Sequence, residues 1–278
     1  MSISTTKLII TGLFLYSTTL FAQEVKGYER IYYTEPESIN QNDIEYSFRN
    51  SVAQFDHCKT AFTITNNSND FILYKSDESK FKYTFGEKYP TVKPFYVEPG
   101  KKKTKTLQVE GAEQYLQGAF EIELGGLYRI PMDGKTIAAP DFKLPAATNS
   151  MKMDCFKVTL KKYSASTKEA KAIFDVTYTG NDVGILHPAN LSVTAQRKKS
   201  NEMVTYANDN KKSKPIIVHK GETVKITAVF HIPGKIVDMQ FADMTILWND
   251  TFVESKEIKL DAPLVKIAMD EALTKEKK

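Results

Sequence analysis

The residues that carry most protein chemistry are scarce in this chain of 278: four His, two Cys and one Trp stand against 16 Phe and 14 Tyr. Two cysteines do not make a disulfide scaffold, and His57, His187, His219 and His231 are too far apart in sequence for a histidine metal motif. Charge of one sign is lacking too. The 38 basic and 34 acidic residues are interspersed and leave a formal net charge of +4, which does not supply the concentrated basic face of a nucleic-acid binder. There is no P-loop, no G-x-G-x-x-G, no G-x-S-x-G, no H-E-x-x-H and no Ser-x-x-Lys with its partner motifs. Helix-period segments with capping boxes are nearly absent. The expectation from these absences is a chain without enzymatic activity, cofactor or metal.

One long apolar run exists, Leu8 to Phe21, preceded by Lys7 and followed by Ala22 and a polar stretch. A short positive region, an apolar core and a small residue before the cut form the pattern of a secretory signal peptide, so residues 1–22 are expected to be removed on export. Nothing later approaches the roughly 18 apolar residues of a membrane span, so no transmembrane segment is expected after cleavage. Export directs the chain to the periplasm, the cell surface or the medium. Cys58 and Cys155 then have a single possible pairing, and the choice is between a bridge joining two domains and two buried thiols.

Strict period-two alternation is the strongest positive signal. Phe156, Val158 and Leu160 alternate with Lys157, Thr159 and Lys161, and Val224, Ile226, Ala228, Phe230 and Ile232 form one face of a long run. The same elements recur twice in one order. Phe62 to Asp70 matches Phe174 to Asp182, and Phe95 to Lys101 matches Ile216 to Glu222. Phe120 to Leu124 corresponds to Met244 to Trp248, and Asp141 to Ala146 to Glu257 to Ala262. Strands about every eight to twelve residues, with Asn, Gly, Pro and Lys between them, predict antiparallel sandwiches. The expected organisation is an all-β protein of two tandem sandwiches, 23–147 and 148–265, with a polar tail, 266–278, suited to a short helix.

The strand and turn Phe62 to Asp70, and the Val97-Glu98-Pro99-Gly100 turn leading into Lys101 to Val109, with their second-half counterparts, resemble immunoglobulin-like modules of secreted bacterial proteins. The Cys-Trp-Cys core of antibody-type domains is missing. The resemblance implies an exported binding or assembly module of the cell envelope acting through contacts with a protein partner. Glu98-Pro99-Gly100 before an alternating strand also resembles the first domain of periplasmic pilus chaperones, but the Arg and Lys that grip a client's carboxylate have no counterpart that can be placed.

Side chains that attract a functional reading each have a plainer one. Glu121 and Glu123 share a strand face, the minimum for paired carboxylates, yet alternate with Phe120, Ile122 and Leu124 as a solvated face does. The Asn-Asp pairs at Asn69, Asn208 and Asn249 lack a calcium-loop frame and suit turns. Phe81, Tyr83 and Phe85 share one face and are expected in the core. Tyr89 and Tyr96, flanking Pro90 and Pro94, are the candidate members of an exposed aromatic platform for a sugar or a partner, which makes polysaccharide the alternative ligand. Lys101, Lys102 and Lys103 are candidate binding residues, or else edge residues that block pairing with other chains.

Overall fold

The computed structural model describes residues 27–112, 114–211 and 213–277; the expected signal peptide, 1–22, lies outside them. The first half of the chain forms β1 (Ile31–Tyr32), β2 (Ile39–Gln41), β3 (Ile44–Ala53), β4 (His57–Asn66), β5 (Phe71–Tyr74), β6 (Lys80–Tyr83) and β7 (Gly86–Lys88). It continues with β8 (Phe95–Val97), β9 (Lys102–Glu110), β10 (Ala119–Glu123), β11 (Leu127–Ile130), β12 (Lys135–Thr136) and β13 (Phe142–Leu144). The second half forms β14 (Ser150–Met153), β15 (Phe156–Ala165), β16 (Ala170–Tyr178), β17 (Val183–Leu186), β18 (Ser192–Gln196) and β19 (Met203–Ala207). Then come β20 (Ile216–Val218), β21 (Thr223–Phe230), β22 (Met244–Leu247), β23 (Phe252–Ser255), β24 (Ile258–Lys259) and β25 (Leu264–Ala268). Among the described residues one α-helix, α1 (Glu271–Glu276), closes the tail, its N-terminus capped by the Asp270 side chain, which accepts from Leu273 N. The fold is all-β and antiparallel, as the alternation predicts.

The strands make six sheets rather than the four of two simple sandwiches. In the first half, the order β1-β3-β4-β9, with β2 beside β3, faces two four-stranded pieces, β25-β10-β6-β7 and β24-β11-β5-β8. These pieces are one sheet broken across its middle, because the strands run through in pairs: β25 with β24, β10 with β11, β6 with β5, β7 with β8. Each break has a local cause. A 3-10 turn at Ser76–Glu78 separates β5 from β6, Pro90 and Pro94 separate β7 from β8, and Pro263 stands between β24 and β25. Between β10 and β11 lie Gly125 and Gly126, where a Cβ would overlap the Glu78 and Lys75 carbonyl oxygens. The second half repeats the design: β14-β15-β16-β21 faces β13-β22-β18-β19 and β12-β23-β17-β20, with a 3-10 turn at Pro188–Asn190.

Chain order and sheet membership separate at the end of each half. The strands β12 and β13, from the first half, pair with β23 and β22 of the second. Reciprocally, β24 and β25 pair with β11 and β10 of the first. Each half is therefore completed by the last two strands of the other. A division between residues 147 and 148 follows the chain but crosses this exchange. Three of the matched repeats fall on strands with equivalent partners: β4 and β16, β8 and β20, β10 and β22. The fourth does not, since the counterpart of β13 is β25 rather than the stretch at β24.

Two cores result. One gathers Tyr46, Phe48, Phe62, Ile64, Phe81, Phe120, Val265 and Ile267; the other gathers Phe142, Phe156, Phe174, Tyr178, Phe230, Trp248 and Phe252. A third apolar cluster, Phe71, Leu73 and Ile130 against Val183, Ile185 and Val253, joins the halves. All four residues of β5 are buried: Ile72 and Tyr74 face the first core, Phe71 and Leu73 the junction. Cys58 and Cys155 are buried free thiols in different cores, so the bridge left open above is not formed.

The exchange couples the two cores. Val265 and Ile267 are 4% and 1% exposed, and burying two such side chains contributes about 3–6 kcal/mol to the first half. Ile267→Ala is expected to cost about 2–5 kcal/mol. It lowers the unfolding midpoint read by Trp248 fluorescence, which reports on the other core, as much as that read by circular dichroism. Two separate midpoints would show the halves to be independent.

Candidate functional site

The residues singled out by sequence do not converge on one place. Tyr89 is half exposed beyond the end of β7, its hydroxyl 3.4 Å from Glu87. Tyr96, on β8, turns toward the junction between halves, where its hydroxyl lies 2.9 Å from Nε2 of His219 and it packs against the joining cluster. Burial, with Glu257 and Glu222 nearby, pushes the Tyr96 phenol up to about 12. The two tyrosines are thus parts of different pieces of the broken sheet and form no common platform. Lys101 and Lys102 are exposed at the start of β9, while Nζ of Lys103 folds back to the Tyr96 carbonyl at 3.2 Å.

Glu121 and Glu123 lie on the solvent face of β10 and are paired with lysines of neighbouring strands. Lys82 is 2.5 Å from Glu123 and Lys266 3.5 Å from Glu121. This is a charge ladder across a sheet, with each carboxylate committed to a cation. The Asn-rich turns are internal braces. Asn66 Nδ2 donates to the carbonyls of Asp70, Val97 and Glu98, and its Oδ1 accepts from Ser68 N. Among the described residues no three His, Cys, Asp or Glu side chains come together to hold a metal. Burial raises the Cys58 thiol to about 12 and, with Glu254 and Asp154, the Cys155 thiol to about 11, so neither is an activated nucleophile.

The densest polar cluster grips the exchanged strand β24. The Tyr128 hydroxyl donates to both Glu78 oxygens at 2.8 Å, and Nζ of Lys259 reaches Glu78 at 2.8 Å. Lys75 meets Glu257 at 2.6 Å and stands 4.3 Å from the Tyr128 ring centre, with Lys259 5.7 Å from it. Every member thus has a partner inside the cluster, and its role is to hold the chain's end on the first half.

Accessible apolar groups are spread over several turns and strand ends, Ile258 of β24 and Leu264 of β25 among them. Phe55, in the β3–β4 turn, is 59% exposed, and Phe85, in the β6–β7 turn, 36%. The Phe85 ring stacks on Tyr83 at 4.9 Å and meets Tyr115 edge-on at 5.4 Å; Tyr115 N donates to the Phe55 carbonyl. The corresponding end of the second half displays Phe241, 81% exposed, and Met203, 58%. There an open groove of about 820 Å³ runs beside Met203, Arg197, Lys199 and Asp243. Sequence reasoning passed over Phe55, Met203 and Phe241, where the available signal was a large apolar residue set in an otherwise polar turn, as in Gln54-Phe55-Asp56. It expected Phe85 in the core with Phe81 and Tyr83; those two are buried, but β6 ends at Tyr83 and the turn leaves Phe85 at the rim.

No family model and no curated protein matches the chain. Solved structures show a remote likeness. The β-glucosidase of Kluyveromyces marxianus in complex with glucose is 10% identical over 85% of this chain and 50% of its own, with a TM-score of 0.26. The C-terminal globular domain of the Pyrococcus abyssi oligosaccharyltransferase is 13% identical over 90% and 53%, at 0.19. The N-terminal CBM22-1–CBM22-2 tandem domain of Paenibacillus barcinonensis Xyn10C is 11% identical over 86% and 96%, at 0.22. The chain spans about half the length of the first two, and at these scores none bears on function.

The Glu78 clasp makes a pH prediction. Burial alone would raise this carboxyl, but hydrogen bonds from Lys259 and Tyr128 outweigh it and hold the group below its ordinary value. A depressed carboxyl stabilises the fold above its unfolded value of about 4.3 and loses that contribution as pH falls through the lower folded value. Glu78→Gln is therefore expected to destabilise the protein at neutral pH and to flatten the decline in thermal midpoint below about pH 4. A variant declining as steeply as the parent would remove Glu78 from this role.

Proposed function

We propose that this chain is an exported, non-enzymatic binding or assembly module of the cell envelope, built from two immunoglobulin-like β-sandwiches and working through protein–protein contacts. The observation that carries the reading is the repeated display of accessible apolar side chains, Phe55 with Phe85 on one half and Met203 with Phe241 on the other. Large exposed apolar groups near one another mark interaction surfaces more often than scattered ones do, and Tyr115 links the first pair, its ring against Phe85 and its N–H on the Phe55 carbonyl. The apolar junction and the strand exchange hold the two displays at a set spacing, which suits a bivalent adaptor. On the piece β25-β10-β6-β7 the acidic and basic side chains of the open face are spent on one another, which leaves its turns as the more adhesive part of that piece.

Polysaccharide binding ranks second. It draws support from exposed Tyr89, but its other candidate, Tyr96, is engaged by His219. The test is crosslinked capture from the protein's own cell envelope with the intact chain, Phe55→Ser/Phe85→Ser and Met203→Ser/Phe241→Ser. The changes at Phe55, Met203 and Phe241 should alter stability by no more than about 0.5 kcal/mol each. Phe85→Ser also removes the stacking on Tyr83 and Tyr115, about 0.5–1.5 kcal/mol per pair, so capture is compared at a temperature where circular dichroism shows every variant folded. One protein is expected to be recovered by the parent, lost by at least one double variant and untouched by sugar washes. Retention on polysaccharide alone would favour the sugar reading and defeat this one.

A further inference from the structure

The strands β9 and β21 hold the same place in the two halves, each the outermost strand of its sheet and each paired on one side only. Backbone bonds from Asn66 N to Lys101 O and from Gly111 N to Asp56 O fix the parity of the β4–β9 ladder. Antiparallel pairs alternate between bonded and non-bonded, so residues 103, 105, 107 and 109 bond to β4 and the backbone groups of Lys102, Thr104, Thr106 and Gln108 point to the free edge. By the same argument from Tyr178 N to Glu222 O, Thr223, Lys225, Thr227 and Val229 point to the free edge of β21.

The second half covers that edge with the loop joining β19 to β20. Asp209 N donates to Val229 O at 2.8 Å, Val229 N donates to Asn208 Oδ1 at 2.9 Å, and Asn210 Nδ2 donates to Thr227 O at 3.0 Å. In the first half the equivalent loop, joining β7 to β8, turns away. Its Val92 N and the carbonyls of Pro90 and Val92 bond to Ser76 Oγ instead. Among the described residues nothing bonds to the edge-facing backbone of Thr104, Thr106 or Gln108. The side chains along this edge are basic at one end, with Lys102, Lys103 and Lys105 on the strand and Lys101 just before it.

We propose that the open edge of β9 is a docking site for an extended acidic segment of a partner protein, which adds to the sheet as a further strand. Main-chain bonds to Lys102, Thr104, Thr106 and Gln108 would supply affinity, and carboxylates opposite the lysines would supply choice of partner. Lysine against lysine disfavours a second copy of this chain at the same edge. The site rests on the reading of the chain as a protein-binding module but not on its apolar ends.

The test uses the intact protein, a synthetic ten-residue peptide of alternating Glu and Val, the same peptide N-methylated along one edge, and a Lys–Val counterpart. The Glu–Val peptide is expected to bind and to slow amide exchange at Thr104, Thr106 and Gln108, while the other two peptides do neither. Lys102 and Lys105 face opposite sides of β9, so Lys102→Gln and Lys105→Gln made separately should weaken binding about threefold for the one that the glutamates face and leave the other near the parent. Thr106→Pro should abolish it, because proline removes an outward N–H that the fold itself does not use; slow amide exchange retained at Leu107 and Val109, which bond to β4, would confirm that the variant's first half folds. Equal binding of the N-methylated or Lys–Val peptide, or no protection of the three amides by the Glu–Val peptide, would overturn the proposal. Phe55→Ser/Phe85→Ser separates the two readings: peptide failure with envelope capture intact defeats this site alone, whereas capture lost with peptide binding retained leaves it standing.

Discussion

Each half of this protein presents an incomplete sheet, and the edge left open is closed by the final strands of the other half. An uncovered edge exposes a row of unpaired N–H and C=O groups together with the flank of a hydrophobic core. Lending β12–β13 forward and β24–β25 back meets that demand twice with one arrangement. The clasp around Tyr128 and the apolar junction at Phe71, Leu73, Val183 and Ile185 follow from it, because strands that cross between halves draw the sheets they join into contact.

Breaking each inner sheet across its middle gives its two pieces different tasks. The piece containing β5 and β11 is buried on both sides, one face against its own core and one against the other half. The piece containing β6 and β10 keeps an open face with a charge ladder and ends in turns that display aromatic side chains. Gly125 and Gly126 sit at the fold line because only a residue without Cβ lets β10–β11 pass the Ser76–Glu78 turn. Cohesion and display of exposed side chains are thus separated within one sheet.

The two halves are similar in topology and different in what they leave accessible. After β19, residues 208–210 lie along β21, while 89–94 carries two prolines and is tied to Ser76. Where these few residues make their bonds decides which outer edge is sealed. Asn208, an ordinary turn residue in sequence, becomes a surrogate strand by offering both an acceptor and a donor to the ladder.

Period-two alternation in stretches such as Phe156 to Leu160 and Val224 to Phe230 was enough to establish an all-β antiparallel chain, since side chains that alternate in polarity have one way to bury a face. Repetition of Phe62 to Asp70 at Phe174 to Asp182, and of two further blocks, established the internal duplication. Ownership of the last two strands of each half was not legible, because β13 and β25 present the same alternation to either neighbour. The positions of Tyr96, Phe55 and the β9 edge depended likewise on which sheets meet. Local pattern determines which face of a strand is apolar; which partner covers it is a long-range choice, decided by loop length, by the breaks at Gly125 and the prolines, and by the packing of whole sheets.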